Sequence, residues 1–237
     1  MTVLYIHSEN LLRNSPKLLA DFINLAATKN IAVELLFGAP EWTFTGNHQY
    51  VVDLVTRANA FVASLTGAKP IGLQFDVEPH ALSTWSTNEV TYGNQLIDLY
   101  TKLRQVKRPD MYINADIALG YRFVNITRNG VTKTLTQWLV DVTDRTTVMS
   151  YRDFAIGTDS ITDHASHPVN YAATVGKLAY VGVETACAQD PEKVTFCEEG
   201  RSALDYSLNN VVSHFSGNRG FGGTAVHHYT SYVVLRQ

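Results

Sequence analysis

The regular alternation of short β-branched runs with amphipathic helical stretches constrains this chain more than any other feature of it. The strand candidates are Thr2 to His7, Ile31 to Phe37, Ile71 to Glu78, Met111 to Leu119, Thr147 to Arg152, Leu178 to Glu184 and Phe221 to Tyr229. Between them apolar residues recur at helical spacing, as in Leu18, Leu19, Phe22, Ile23 and Ala26, and again in Val51, Leu54, Val55, Ala58, Phe61, Val62 and Leu65. Helix punctuation agrees: Ser15 and Pro16 mark a start, Gly67 follows an end, Ser86 and Glu89 have capping-box spacing, and Ser166 with Pro168 opens a further helix. Strand and helix repeating at intervals of about 30 to 43 residues predict successive parallel strands joined by right-handed crossovers, in a closed barrel or an open doubly wound sheet.

The strand ends separate these two architectures. An open nucleotide-binding sheet carries a Gly-rich turn after its first strand, but here that strand runs into His7-Ser8-Glu9-Asn10 with no glycine before Gly38. In a (β/α)8 barrel all strands empty onto one face where the chemistry sits, and that face is polar. The candidate strands end in His7 and Glu9, Glu41 and Trp42, Asp76, Glu78 and His80, Asn114 and Asp116, Tyr151, Arg152 and Asp153, Glu184, and His227, His228 and Tyr229. Fully buried strands would run apolar to their ends. The expected fold is therefore a single α/β domain over residues 1–237, a (β/α)8 TIM-type barrel with seven readable strands. No helix and strand precede Thr2, so the first strand–helix unit is expected to be the missing one.

Composition narrows the function classes. With 237 residues, 45% of them hydrophobic and 17% charged, the chain can bury one large core and is no disordered segment. A net charge of -3 without a basic row disfavours nucleic acid as a partner. No run of about 18 apolar residues predicts a membrane span, and Met1 leads into a strand pattern without a signal-peptide start, as a trimmed product would too. Cys187 and Cys197 form either a local loop disulfide, which suits an oxidising compartment and favours secreted or periplasmic over cytoplasmic, or two unrelated thiols.

The most informative segment is Ile71-Gly72-Leu73-Gln74-Phe75-Asp76-Val77-Glu78-Pro79-His80. Strand alternation points Gln74, Asp76 and Glu78 into a barrel and Phe75 and Val77 toward the helix layer. Two carboxylates one strand repeat apart, roughly 6 to 7 Å, repel each other, so one holds its proton to higher pH. A neutral acid beside an ionised one is what glycosidic bond cleavage requires: the acid protonates the leaving oxygen and the anion supports the oxocarbenium-like transition state. The alternative is a pair neutralised by Arg152 or by a histidine.

Asp76-Val77-Glu78, followed two strands later by Met149-Ser150-Tyr151, resembles the D-x-E and M-x-Y strand motifs of chitinase-like family 18 glycoside hydrolases. Together with Pro79-His80, Arg152-Asp153, Gly182-Val183-Glu184-Thr185-Ala186 and His227-His228-Tyr229, the set is similar to a poorly characterised group of bacterial glycoside-hydrolase-like barrels. This likeness covers most of the chain from Ile31 onward. It implies Glu78 as general acid, Asp76 as the group that orients it or the substrate, and Tyr151 as a hydrogen-bond donor to the reacting sugar. The fuller D-x-x-D-x-D-x-E pattern is not kept, since Ile71 and Gln74 stand at its first two aspartates, which puts N-acetyl-assisted catalysis in doubt. Glu184 offers a second route. With the first strand missing, Glu78 ends strand four and Glu184 strand seven, similar to acid/base and nucleophile in the clan A retaining glycosidases, although Val77 stands where that clan has asparagine. Carboxyl groups about 5 Å apart would fit retention and about 7 to 9 Å inversion. We rank the Asp76, Glu78 and Tyr151 arrangement first.

Trp42, Trp85, Tyr121, Phe154 and Tyr229 lie at or beyond strand ends, where rings either stack on sugar faces or simply pack loops. Trp138, at helical spacing with Leu135, Leu139 and Val142, reads as core. Strand parity puts His227 and Tyr229 on one side and His228 on the other. The inward histidine either pairs with a carboxylate or joins Asp76, Glu78, Asp116 or Glu184 around a divalent metal, for which no HxH or HExxH spacing speaks. Asn125-Ile126-Thr127 fits a glycosylation acceptor in a loop. The leading expectation is a glycan-cleaving barrel with Glu78, Asp76, Glu184 and Tyr151 as catalytic candidates. Trp42, His80, Asp116, Arg152, Asp153, His227 and Tyr229 are its candidate substrate contacts, and neither cofactor nor metal is expected. Two rival readings are a non-catalytic carbohydrate-binding barrel and a metal-dependent hydrolase. Oligomeric state is not legible.

Overall fold

The computed structural model describes residues 2–187 and 193–237. The chain divides into two compact units, Met1–Asp116 with Val124–Asp144, and Ile117–Phe123 with Arg145–Gln237.

In the first unit, strands β1 (Val3–His7), β2 (Ala32–Phe37), β3 (Gly72–Phe75) and β4 (Tyr112–Ile117) lie side by side in chain order, all parallel. Helices α1 (Glu9–Asn14) and α2 (Pro16–Thr28) join β1 to β2, α3 (His48–Ser64) joins β2 to β3, and α4 (Trp85–Val106) joins β3 to β4. The strands sort their side chains by parity. Val33, Leu35, Phe37, Leu73, Phe75, Ile113 and Ala115 are all buried, as are Leu19, Ile23 and Ala26 of α2 and Val51, Leu54, Val55, Ala58 and Val62 of α3. Burying a ring such as Phe75 stabilises by about 2 to 3 kcal/mol, and the fully buried Tyr100 keeps its hydroxyl satisfied by donating to the Phe75 carbonyl at 3.0 Å. The opposite parity carries Glu34, Gln74 and Asn114, polar and equally buried.

Beyond β4 the chain makes an antiparallel hairpin of β5 (Asn125–Arg128) and β6 (Val131–Thr134), then α5 (Leu135–Val142). Its two-residue turn is Asn129-Gly130, with φ of 52° and 78°, a pair of left-handed residues whose twist matches the strands. Asn125-Ile126-Thr127 thus lies in a strand and not in a loop, because that turn and the ladder to Thr132–Thr134 order it. Trp138 is half-buried instead of core: its indole N–H donates to the Ile126 carbonyl at 2.9 Å and Lys133 Nζ sits 5.2 Å above its ring.

In the second unit β7 (Arg145–Met149), β8 (Leu178–Glu184) and β9 (Phe221–His227) are again parallel and in chain order, with α6 (Ile161–Thr174) and α7 (Arg201–His214) between them and α8 (Tyr229–Val234) after β9. Among the described residues seven parallel strands alternate with helices, four in one unit and three in the other, as many as the sequence predicts.

Several local expectations are corrected. Residues Ser86 and Glu89 form no capping box: α4 starts two residues earlier, at Trp85 after Thr84, and Asn88 departs from helical geometry, its side-chain amide donating to the Thr84 carbonyl at 2.9 Å. Helix α6 opens at Ser160, whose hydroxyl accepts from Asp163 N, so Pro168 falls inside it rather than at its start. Strand β3 stops at Phe75 and β7 at Met149, which leaves Asp76 to Glu78 and Tyr151 just past the strands. Strand β9 stops at His227 and Tyr229 begins α8, so strand parity does not relate their side chains. Among the described residues no helix is long and apolar enough to cross a membrane.

Candidate functional site

In the first unit the polar parity of β2, β3 and β4 and the turn after β3 bring together Glu34, Gln74, Asp76, Glu78, His80, Asn114 and Asp116. Glu34 sits in the middle of β2 with only 1% of its surface exposed. Its carboxylate reaches Asn114 on β4, whose amide donates to Oε2. The path crosses β3 at Gly72, where a Cβ would stand 3.4 Å from Glu34 Cδ and 3.1 Å from the Tyr112 carbonyl oxygen. Gln74 Nε2 donates to Asp116 Oδ1 at 2.7 Å.

Asp116 is the electrostatic focus of this group. Burial first, then the negative charge of Asp76, push its carboxyl well above the ordinary range; the Gln74 hydrogen bond pulls the other way, and Glu78 and Glu34 add to the rise. The carboxyl whose proton affinity burial and neighbouring charge raise thus lies on the adjacent strand, β4. Sequence reasoning placed Asp116 among ligand contacts and missed Glu34, although a glutamate inside Ala32-Val33-Glu34-Leu35-Leu36-Phe37 was the available signal.

Backbone turns set Asp76 and Glu78. Asp76 N donates to the Phe37 carbonyl at 2.8 Å, one rung beyond β3, and Glu78 precedes a short 3-10 turn at Pro79–Ala81. Val77 between them is buried while the Glu78 side chain is 32% exposed. His80 Nε2 lies 3.6 Å from Glu78 Oε1, inside ion-pair range but too long for a hydrogen bond. Burial lowers the His80 imidazole against the pull of Asp76, which favours its neutral form. Trp42 is buried with its ring 5.9 Å from that of Tyr50.

In the second unit Tyr151, Glu184 and His227 meet. Glu184 ends β8 directly across from His227 on β9. Its Oε1 accepts the backbone N–H groups of Thr185 and Ala186, both at 2.7 Å, and its Oε2 lies 2.6 Å from His227 Nδ1. Burial acts to raise this carboxyl, but the hydrogen bonds from His227 and the two backbone amides outweigh it and hold the group below its ordinary value. The imidazole stacks on the Tyr151 ring, centroids 6.4 Å apart and planes 21° apart. At Gly182 of β8 a Cβ would meet the Val148 carbonyl oxygen of β7 at 3.1 Å, so the glycine eases the approach of these two strands.

Arg152 is engaged by Asp159, to which its Nη2 donates at 2.7 Å, and its Nη1 donates to the Tyr151 carbonyl. Asp159 also receives His164 Nε2 at 2.8 Å and Lys193 Nζ at 2.7 Å, and the hydrogen bonds from Arg152, Lys193 and His164 hold it far below the usual carboxylate range. Asp153 is half-buried, its backbone N–H donating to the Lys193 carbonyl. Of the aromatic candidates, Tyr121 is buried, Trp85 half-buried, and Phe154 and Tyr229 exposed at 36% and 63%. Cys187 and Cys197 are joined in a disulfide. Among the described residues no group of three or more His, Cys, Asp or Glu side chains is arranged to hold a metal ion.

No protein-family model and no curated protein matches the chain. Solved structures do. The fold is similar to that of a chitinase from Bacteroides thetaiotaomicron, with a TM-score of 0.62 and 12% identity over 99% of this chain and 93% of that one. It is similar to the chitinase RmChi1 from Rhizomucor miehei, with a TM-score of 0.59 and 13% identity over 98% and 89%. A fungal β-1,4-galactanase gives a TM-score of 0.59 at 10% identity over 95% of this chain and 76% of that one. The chain therefore has a glycoside-hydrolase-like fold of the (β/α)8-barrel type, with seven of the parallel strands among its described residues.

Proposed function

We propose that the chain, taken as one domain, cleaves a glycosidic bond in a glycan by carboxylic-acid catalysis. The observation that carries this reading is the carboxyl group of Asp116, driven toward its protonated form beside Asp76, with the partly exposed Glu78 contributing to the same field. Glu78 in its protonated form is the donor to the leaving oxygen, and the anion that adds to the field on Asp116 is the state it returns to once that proton is given up. Asp76 is the anion that orients the acid or the sugar and supports positive charge developing at the sugar carbon. Gln74 fixes Asp116, and His80, kept toward its neutral form, is a hydrogen-bonding contact for hydroxyls. The Bacteroides and Rhizomucor chitinases and the galactanase support a glycan as the ligand class.

In the second unit Tyr151 is the proposed hydrogen-bond donor to sugar, with His227, Asp153 and the exposed Tyr229 as further contacts and Arg152 fixing the loop that carries Tyr151. The Cys187–Cys197 disulfide supports an oxidising compartment, secreted or periplasmic.

The test is release of reducing ends from chito-oligosaccharides and β-1,4-galacto-oligosaccharides. Glu78→Gln is expected to lower turnover by ~10²-fold or more while leaving binding intact, and turnover is expected to survive dialysis against a chelator. Equal turnover by parent and variant refutes the assignment. A parent that binds these oligosaccharides without cleaving them makes the chain a carbohydrate-binding barrel instead.

A further inference from the structure

The pairing of Glu184 with His227 has a chemical meaning of its own. A carboxylate whose Oε1 accepts two backbone N–H groups and which is held in its ionised form has no hydrogen to give. His227 Nδ1, 2.6 Å from Oε2, must therefore carry the hydrogen of that bond. In the neutral imidazole this leaves the lone pair on Nε2. The Glu184 side chain is 12% exposed and that of His227 57%, so the carboxylate forms the inner, fixed half of the pair and the imidazole the outer half. The Tyr151 ring lies nearly parallel to the imidazole, centroids 6.4 Å apart, and sets an aromatic face beside it.

We propose that Glu184 is a positioning residue that fixes His227 in the Nδ1–H tautomer, and that His227 Nε2 accepts a hydrogen bond from a hydroxyl of a carbohydrate ligand beside the Tyr151 ring. An acceptor nitrogen next to an aromatic face suits a molecule that carries many hydroxyl groups on an apolar ring edge. The identification of that ligand as a glycan rests on the function proposed above; the tautomer assignment does not. This role differs from that of a nucleophile, because both Glu184 oxygens already hold donors.

Glu184→Gln gives a sharp test, because it keeps the shape and reverses one bond. The Thr185 and Ala186 amides still require an oxygen, which turns the new NH2 group toward His227 Nδ1. Nδ1 must then accept, and the hydrogen moves to Nε2. Imidazole nitrogen NMR on the full chain is expected to show His227 protonated at Nδ1 in the parent and at Nε2 in Glu184→Gln. The same tautomer in both, or Nε2–H in the parent, overturns the proposal.

Titration with chitotetraose and with β-1,4-galactotetraose supplies the ligand arm. One of them is expected to shift the His227 Nε2 resonance of the parent, and Glu184→Gln and His227→Ala should each weaken its binding by about tenfold. His227 is largely exposed, so its alanine variant keeps the test alive if Glu184→Gln fails to fold. No response of His227 to either oligosaccharide overturns the proposal. If His227 responds but the parent cleaves nothing, the glycosidase reading fails and this one stands. If Glu78→Gln abolishes cleavage while Glu184→Gln and His227→Ala bind as the parent does, this one fails alone.

Discussion

Gly38, the residue after β2, is packed against the backbone of Asp76, the proposed anion of the site. A Cβ at this position would stand 2.2 Å from the Asp76 carbonyl oxygen, 2.9 Å from its carbonyl carbon and 3.1 Å from its Cβ. Carbon–oxygen contacts in proteins settle at about 3.3 Å or beyond, so Gly38→Ala forces a separation of about 1 Å. The oxygen is backbone, with no rotamer to escape through, and Asp76 N is tied to the Phe37 carbonyl at 2.8 Å, which prevents the two segments from sliding apart freely. Overpacking of this kind costs about 1 to 3 kcal/mol. A displacement of about 1 Å at a reacting group costs ~10²-fold in rate. Gly46→Ala is the control, since a Cβ there meets nothing within 4 Å, and it should stay within about 0.5 kcal/mol of the parent. Urea unfolding followed by circular dichroism measures the stability of all three proteins, and release of reducing ends measures their turnover. If Gly38→Ala and Gly46→Ala share the urea midpoint of the parent, the contact drawn here between Gly38 and Asp76 is wrong.

Two further outcomes follow from the charges and the crosslink. Asp116 binds its proton more tightly when folded, so the folded state is favoured below the unfolded carboxylate range and loses that advantage as pH rises through the folded value. Asp116→Asn carries no charge at any pH, so its urea midpoint should fall less than that of the parent between about pH 4 and about pH 8; equal slopes would remove Asp116 as the titrating group. Reduction of the Cys187–Cys197 bond, which closes a loop of sequence separation 10, should lower unfolding free energy by about 2 to 3 kcal/mol, and an unchanged urea midpoint under reductant contradicts this.

The sequence carried the seven parallel strands because each is a short, mostly apolar segment flanked by helical spacing, and it carried Asp76 and Glu78 because charged groups at a strand end stand out against such a segment. What it concealed has physical reasons. The exchange of charge between strands is a tertiary fact: Asp116 lies on β4, and the charges that raise it lie in β2 and in the turn after β3. Glu34 was hidden by its apolar neighbours, and its carboxylate passes over Gly72 of β3 to reach Asn114. Helix starts were misread where two signals competed. The Ser160 hydroxyl caps α6 even though Pro168 suggested a later start, and a working capping box formed instead at Thr134 and Gln137. The β5–β6 hairpin was legible after all, since Asn-Gly between Ile126-Thr127-Arg128 and Val131-Thr132-Lys133 is the short-range signal for a two-residue turn.

That hairpin is fastened at its base. Arg128 donates to Asp98 and to Asn94 on α4, and Trp138 holds the Ile126 carbonyl. Its tip, Asn129-Gly130, is exposed, and nothing lies within 4 Å of where a Gly130 Cβ would be. A root this firm below a tip this open makes the hairpin a natural mounting post: a fluorophore or an inserted peptide tag carried there would report on the molecule, or tether it to a surface, while leaving the acidic group on β2, β3 and β4 untouched.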